Sequence, residues 1–462
     1  MSSSALPMLT FGGVPAAIFL ALLGAPASAQ AATFDVDDPA DAHDMNPGDG
    51  ICQGWRPYGC TLRAAIEEAN ASAAHDLIRV PGPTTYSLEL GHLLVSESVT
   101  IRGAAGVVVE GDGTSRVFHV VDGGVTITDL TITGGYLNEY EPGGGVYVGG
   151  DAQLHLVRCV VERNYANQQG SGIANFGSLH VDRTSVRENE NLQFWDAGLG
   201  VTSTGGGIYN ATNAMLIVEQ SAIVGNKAFR GGGIANRNGY VWITNSTISG
   251  NVAKSRGAGL LVESAEGYLA EVDIERSTIT NNELPYEDTT EPVGGAGIAN
   301  VMSYVSIYSS IVAANEHEHL GIHEHAPDCA DFAADIGDPW WLTEAGTYSS
   351  ASYNLMGSLA GCDDFDPDSY DIVPTGDEPV DPELGPLVAW TPGGTELHMP
   401  LAQSPARLAG ERCYLPPIPN TPIPDCFDVD QRGYLRAGGE QETDIGAYES
   451  NGVPPPPPPR GG

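Results

Sequence analysis

Seven segments of this chain can be laid on one another, and that self-similarity restricts the fold more than any other feature. They are VTITDLTITGG from Val125, LHLVRCVVERN from Leu154, LHVDRTSVREN from Leu179, LIVEQSAIVGN from Leu216, VWITNSTISGN from Val241, VDIERSTITNN from Val272 and VSIYSSIVAAN from Val305. Places one, three and eight are apolar, and place six is mostly small or polar. Place eleven is Asn in six of the seven: Asn164, Asn189, Asn226, Asn251, Asn282 and Asn315. A Gly-rich return such as GSGIAN or GGGIYN follows each. Alternation at places one and three is a strand signal with one buried face. Successive starts lie 25 to 37 residues apart with no helical period between them, which leaves no room for a crossover helix in every unit.

The economical solution winds each unit into one coil and pairs it with the next, giving an all-β right-handed parallel β-helix. Coils then stack about 4.8 Å apart and like residues form columns. Aliphatic side chains line the interior, and Asn ladders run along a turn whose left-handed geometry Asn tolerates. Cys159 falls at place six, where other units carry Thr184, Ser221, Ser246, Ser277 and Ser310, so it is expected to be a buried structural thiol. A propeller or sandwich of short strands is the runner-up, but those need hairpins every 8 to 12 residues or so.

A solenoid exposes its core at both ends and needs covers. The segment from Cys60 puts Leu62, Ala65, Ile66 and Ala69 on one helical face, which predicts an amphipathic plug over residues 61–72 within an N-terminal cap of 32–76. The β-helix is expected over 77–325. From 326 to 450 the repeat gives way to Pro, Asp and Gly, predicting a loop-rich, disulfide-bonded C-terminal cap, and 451–462 is a Pro-rich tail without core-forming capacity. That tail reads as a spacer or a frayed end.

Pro15–Leu23 is apolar and precedes GAPASAQA, a small-residue pattern that predicts a signal peptide over 1–31, although no Lys or Arg precedes the apolar run. The chain is therefore expected outside the cell, secreted or at the outer surface, with no transmembrane segment. In an oxidising compartment the seven cysteines pair by proximity as Cys52–Cys60, Cys329–Cys362 and Cys413–Cys426, leaving Cys159 free. A formal charge of −39 argues against nucleic acid and anionic membranes as partners and calls for salt or Ca²⁺ to dilute self-repulsion.

GDGICQGWRPYGCTLRAAIEEANAS resembles the CSLREA-type N-terminal segment of bacterial β-helix surface proteins. YNLMGSLAGC, DPELGPL, HMPLAQSPA, DQRG and DIGAYE resemble the "choice-of-anchor Q" region of the same proteins, and the coils between are similar to pectate-lyase-like and polymorphic-outer-membrane-protein-like repeats. The resemblance implies a right-handed β-helix on or outside the cell, of largely unassigned activity. Thr61 and Ala64 stand where that family has Ser and Glu, and no sorting helix follows the tail.

The insertions between Asn and Gly return project from one edge of the predicted solenoid. Two long ones carry Trp195 and Tyr286, three coils or about 15 Å apart. Between them lie Lys227, Arg230, Lys254 and Arg256, four of only 20 basic residues. Aromatic walls over a basic floor suit a polysaccharide, with Trp195, Lys227, Arg230 and Tyr286 binding it. The first reading is thus an adhesin-like monomer presenting a glycan- or surface-binding edge. The alternative is a polysaccharide lyase acting on a uronate polymer, with Lys254 or Arg256 removing the proton α to the carboxylate and Ca²⁺ on carboxylates such as Asp196, Glu219 or Glu263. A purely structural surface protein is the second alternative, in which these cations only offset negative charge. A hydrolase is disfavoured because the coils carry no NTD, DD or GHG phrases, and Asp363–Asp364 falls in the cap. His317, His319, His323 and His325, interleaved with Glu318 and Glu324, form either a transition-metal-binding loop or a solvated polar one.

Overall fold

A computed structural model describes residues 30–452 and Pro454, except 139–140, 192–203, 266–267, 286–292, 320–321, 326–327, 333–345, 363–364, 377, 391–393, 412–428, 437–442 and 453. Most of the signal-peptide segment, Cys413, Cys426, Asp363, Asp364 and most of the Pro-rich tail fall outside these residues.

The chain is a parallel β-helix. All seven repeats stack in the register that their sequences suggest, Val125 beside Leu154, then Leu179, Leu216, Val241, Val272 and Val305. None of the seven is more than 3% exposed. The coil from Tyr240 illustrates the winding. A first strand, Tyr240–Thr244, bends at Asn245 into a second, Thr247–Ser249. Gly250 turns the chain into a third, Val252–Arg256, and Gly257 into a fourth, Leu260–Glu263. All three corner residues have positive φ, 46°, 64° and 59°. The first two strands of every coil belong to one large sheet, the third strands to a second and the fourth strands to a third.

The corners explain the small and Asn columns. Place five is left-handed in every repeat, at Asp129, Arg158, Arg183, Gln220, Asn245, Arg276 and Ser309, none of them Gly. Such geometry costs an L-residue roughly 1–2 kcal/mol. The place-six hydroxyl offsets it by donating to the carbonyl two residues back, as Ser246 does to Thr244 at 2.7 Å. It also accepts the backbone N–H of the preceding coil, as from Ser221 at 3.1 Å. Place ten repeats the device, and the Asn after it points inward. The left-handed residue is therefore the one before each Asn, not the Asn itself. From Asn189 onward each Asn Oδ1 accepts the N–H and Nδ2 of its predecessor, at 3.0 and 3.0 Å for Asn226 on Asn251. The column ends at Asp328, whose Oδ1 accepts both donors of Asn315 at 3.1 and 2.8 Å. Cys159 holds its expected place in the hydroxyl column, 2% exposed, with its N–H on Thr184 Oγ1 at 3.0 Å.

The ends are closed as expected, with broader limits. Helix Leu62–Asn70 is capped by Thr61, whose hydroxyl accepts the N–H of Ala64, so Thr serves where the resembled family has Ser. Its Leu62, Ala65, Ile66 and Ala69 are at most 2% exposed, and Cys52–Cys60 tethers it. A first rung, Thr33–Asp35, already pairs with Asp76–Val80 ahead of the predicted start. At the other end Cys329–Phe332, Thr347–Ser350 and Leu355–Met356 add a further coil, held by Cys329–Cys362.

The rest of the C-terminal region runs back along the flank as a strap against the second strands. Glu396 accepts from Ser185 and from Arg187, the latter at 2.6 Å. His398 donates from Nδ1 to the Gly385 carbonyl at 2.7 Å, leaving Nε2 to accept the Ser249 hydroxyl at 2.9 Å, and burial lowers its pKa. Gln431 accepts from Thr247 and donates to the Ser221 carbonyl, and Arg436 donates to Asn245. The sequence phrases pair within this strap. DPELGPL meets HMPLAQSPA through Gly385 and Met399, and DQRG meets DIGAYE through Gln431 and Ala447.

Candidate functional site

The basic residues foreseen as a floor lie together on the second sheet. Lys227 and Arg230 occupy strand Lys227–Arg230, and Lys254 and Arg256 the next strand, with Arg230 beside Arg256 across a register shift. Lys227 is half-buried, whereas Arg230, Lys254 and Arg256 are 9%, 4% and 1% exposed. The Arg230 guanidinium lies 3.8 Å from Glu263, and that of Arg256 lies 4.8 Å above the Phe332 ring. Outward-facing neighbours on the third sheet, Tyr209, Ala235 and Leu261, are buried too. Three of the four cations are thus buried. Trp195, Tyr286 and Asp196 lie outside the described residues. The remaining carboxylates do not converge. Glu219 belongs to the first strands, where it sits 3.3 Å from His180, and Glu263 to the fourth.

The His-rich tract forms a hairpin, Glu316–His319 against Ile322–His325, that extends the second sheet beyond Glu283–Leu284. Its register sets His317 opposite Glu324 and His323 opposite Glu318. The side chains of His319, His323 and His325 lie outside the described residues. Among the described residues no group of three or more His, Cys, Asp or Glu could hold a metal ion. Cys159 is also no nucleophile, because burial pushes its thiol up to about 12.

An open site lies elsewhere, in a groove of about 710 Å³ between the strap and the place-five corner of the early coils. That volume is in the usual range for small-molecule sites. Its floor is the left-handed column Asp129, Arg158 and Arg183, one residue per coil, which the stacking rise spreads over roughly 10 Å. Arg158 grips Asp129 with two hydrogen bonds of 2.7 Å, and Arg183 grips Asp182 at 2.9 and 2.6 Å. These pairings raise both arginine pKa values, and the bonds from Arg158 lower that of Asp129. Both arginine side chains stay about half exposed, at 48% and 49%.

The opposite wall is the strap's aromatic cluster. The Arg432 guanidinium lies 4.6 Å from the Trp390 ring, 4.4 Å from Tyr434 and 3.9 Å from Tyr448. Asp430 and the Glu449 carbonyl hold that guanidinium in place, at 2.7 and 2.5 Å. The wall is thereby fixed by backbone and ion-pair contacts before any ligand arrives, while Trp390 keeps 37% of its surface exposed. Sequence reasoning missed this site. Arg158 and Arg183 stood in the repeat at place five, and Arg432 in DQRG, but nothing in the chain's order brings them together. A second Asn ladder was missed as well, Asn175 to Asn210 at 2.7 Å and Asn210 to Asn236 at 2.9 Å, although the IAN and IYN phrases displayed it.

No family model matches the chain, and no curated protein matches it in sequence. Among solved structures it is similar to the crystal structure of pectate lyase Pel9A, with 14% identity, a TM-score of 0.47, and coverage of 91% of this chain and 96% of that one. That similarity concerns fold and carries nothing about chemistry.

Proposed function

We propose that this is an exported, cell-surface or secreted β-helix that binds glycans without cleaving them. The observation that carries the reading is the groove between strap and coils, where an accessible indole shares the lining with two half-exposed arginines held in place by Asp129 and Asp182. Indole faces pack on the C–H faces of sugar rings, and Arg–Asp pairs supply directional donors and acceptors for hydroxyls. The small-residue N-terminal pattern, two disulfides and the resemblance to CSLREA-type and choice-of-anchor Q proteins support an extracellular setting. Among the described residues no helix is long and apolar enough to cross a membrane.

The lyase alternative asks Lys254 or Arg256 to reach a polymer from 4% and 1% exposure. It also asks Ca²⁺ to find carboxylates near them, whereas Glu219 and Glu263 stand on different sheets. The geometry therefore favours binding. The test is a glycan array run beside incubations with alginate, pectate and chondroitin plus Ca²⁺, following absorbance of unsaturated product. Retention without product is expected. Product that disappears in Lys254→Ala or Arg256→Ala would establish the lyase instead.

A further inference from the structure

We infer that the groove accepts neutral, hydroxyl-rich oligosaccharides and rejects anionic ones; this rests on the glycan-binding reading above. The argument is one of charge matching. Among the described residues every guanidinium that borders the groove already has its own carboxylate: Arg158 has Asp129, Arg183 has Asp182 and Arg432 has Asp430. A uronate or sulfate entering would have to take a guanidinium from a partner held by two hydrogen bonds, or share it with that partner at like-charge cost. Nor does the rest of the molecule draw an anionic polymer in, because its formal charge is −39.

A neutral sugar meets neither penalty. Arg158 and Arg183 each have five N–H donors and spend two on a carboxylate, so three remain for hydroxyls. Asp129, which lines the groove, keeps lone pairs for hydroxyl donors. Floor residues repeat with the coil rise over roughly 10 Å, so the groove presents its donors as a row suited to a short chain of sugars. Trp390 gives the row an apolar wall. An electrically balanced, aromatic-walled row of fixed donors and acceptors selects for hydroxyls rather than for charge.

The experiment is isothermal titration of the full chain with cellohexaose, xylohexaose and mannohexaose, and with oligogalacturonate and oligoalginate, at low and at high NaCl. At least one neutral hexaose is expected to bind with an affinity that changes less than twofold with salt, since no ion pair is formed. Trp390→Ala should weaken it at least tenfold, and Arg183→Gln severalfold, while circular dichroism shows both variants folded. Tighter binding of the uronates, falling with salt, would overturn the neutral-ligand inference and leave the glycan-binding reading standing. Neutral binding that survives Trp390→Ala and Arg183→Gln unchanged would remove it from this groove. Binding of no glycan at all would overturn both.

Discussion

Asp328 shows how one residue can tie the fold to pH. It closes the Asn ladder by accepting from both the N–H and the Nδ2 of Asn315, fully buried, and burial raises its carboxyl to about 7. An aspartate in the unfolded chain ionises near 4. Between those limits the folded state holds the extra proton, so this group's contribution to stability is complete below about pH 4 and is lost as pH rises through 7. Asp328→Asn keeps the acceptor and removes the charge. Thermal unfolding should show the variant equal to wild type at pH 4 and more stable at pH 8.5, by on the order of 3 kcal/mol. An unchanged difference between the two pH values would refute the assignment. In the middle of the ladder the outcome reverses. Asn251→Asp keeps an acceptor but aims a carboxylate at the Ile223 carbonyl and Asn282 Oδ1, which now receive the amide's donors at 2.9 and 3.0 Å. A loss of about 3 kcal/mol is expected in urea titrations at pH 8, and less at pH 4.

At the scale of elements, the plug helix carries the cost of ending a solenoid. Ile66 is 1% exposed and belongs to the same apolar cluster as the first coils. Ile66→Ala should destabilise by about 2–4 kcal/mol in denaturant titrations, whereas Thr61→Ala, which removes only the cap acceptor and a hydrogen bond to the Ala42 carbonyl, should cost about 1–2 kcal/mol. Equal effects would mean that the helix is not seated on the core. These elements were legible in sequence because each is local or periodic: an i, i+3, i+4 apolar face, or an Asn every coil. The left-handed corners were not, since Asp129, Arg158, Gln220 and Arg276 are not residues that mark such geometry by type and only their common place betrays them. The covered state of Lys254 and Arg256 was equally hidden. Insertion lengths reveal where chain departs from the coil, not what it lies against.

Across the whole molecule, the strap is the feature that sequence order conceals. Its anchors pair residues about 150 to 210 positions apart, such as Ser249 with His398 and Arg187 with Glu396, through single polar contacts without any period. The groove is a product of that return path, so it could not be read from either half alone. Gln431 is 2% exposed and ties coils and strap together through Thr247, Ser221 and the Glu396 carbonyl. Gln431→Ala should let limited proteolysis cut within 380–452 before any coil is cleaved, as mass spectrometry of the fragments would reveal. Simultaneous loss of strap and coils would show instead that the two unfold as one unit. The charge of −39 acts at this scale too. Raising NaCl from roughly 0.05 to 1 M should increase the melting temperature by screening self-repulsion, and a flat response would mean that it is already neutralised locally.

The fastening along the flank also imposes a timetable. A chain made from its N-terminus can lay down coils one upon another as they emerge, each hydrogen-bonded to the one before. The side of that stack stays unlatched until Glu396, Gln431 and Arg436 have been made. The groove is therefore assembled last, and on the proposed reading a product truncated before the strap would lack its glycan site.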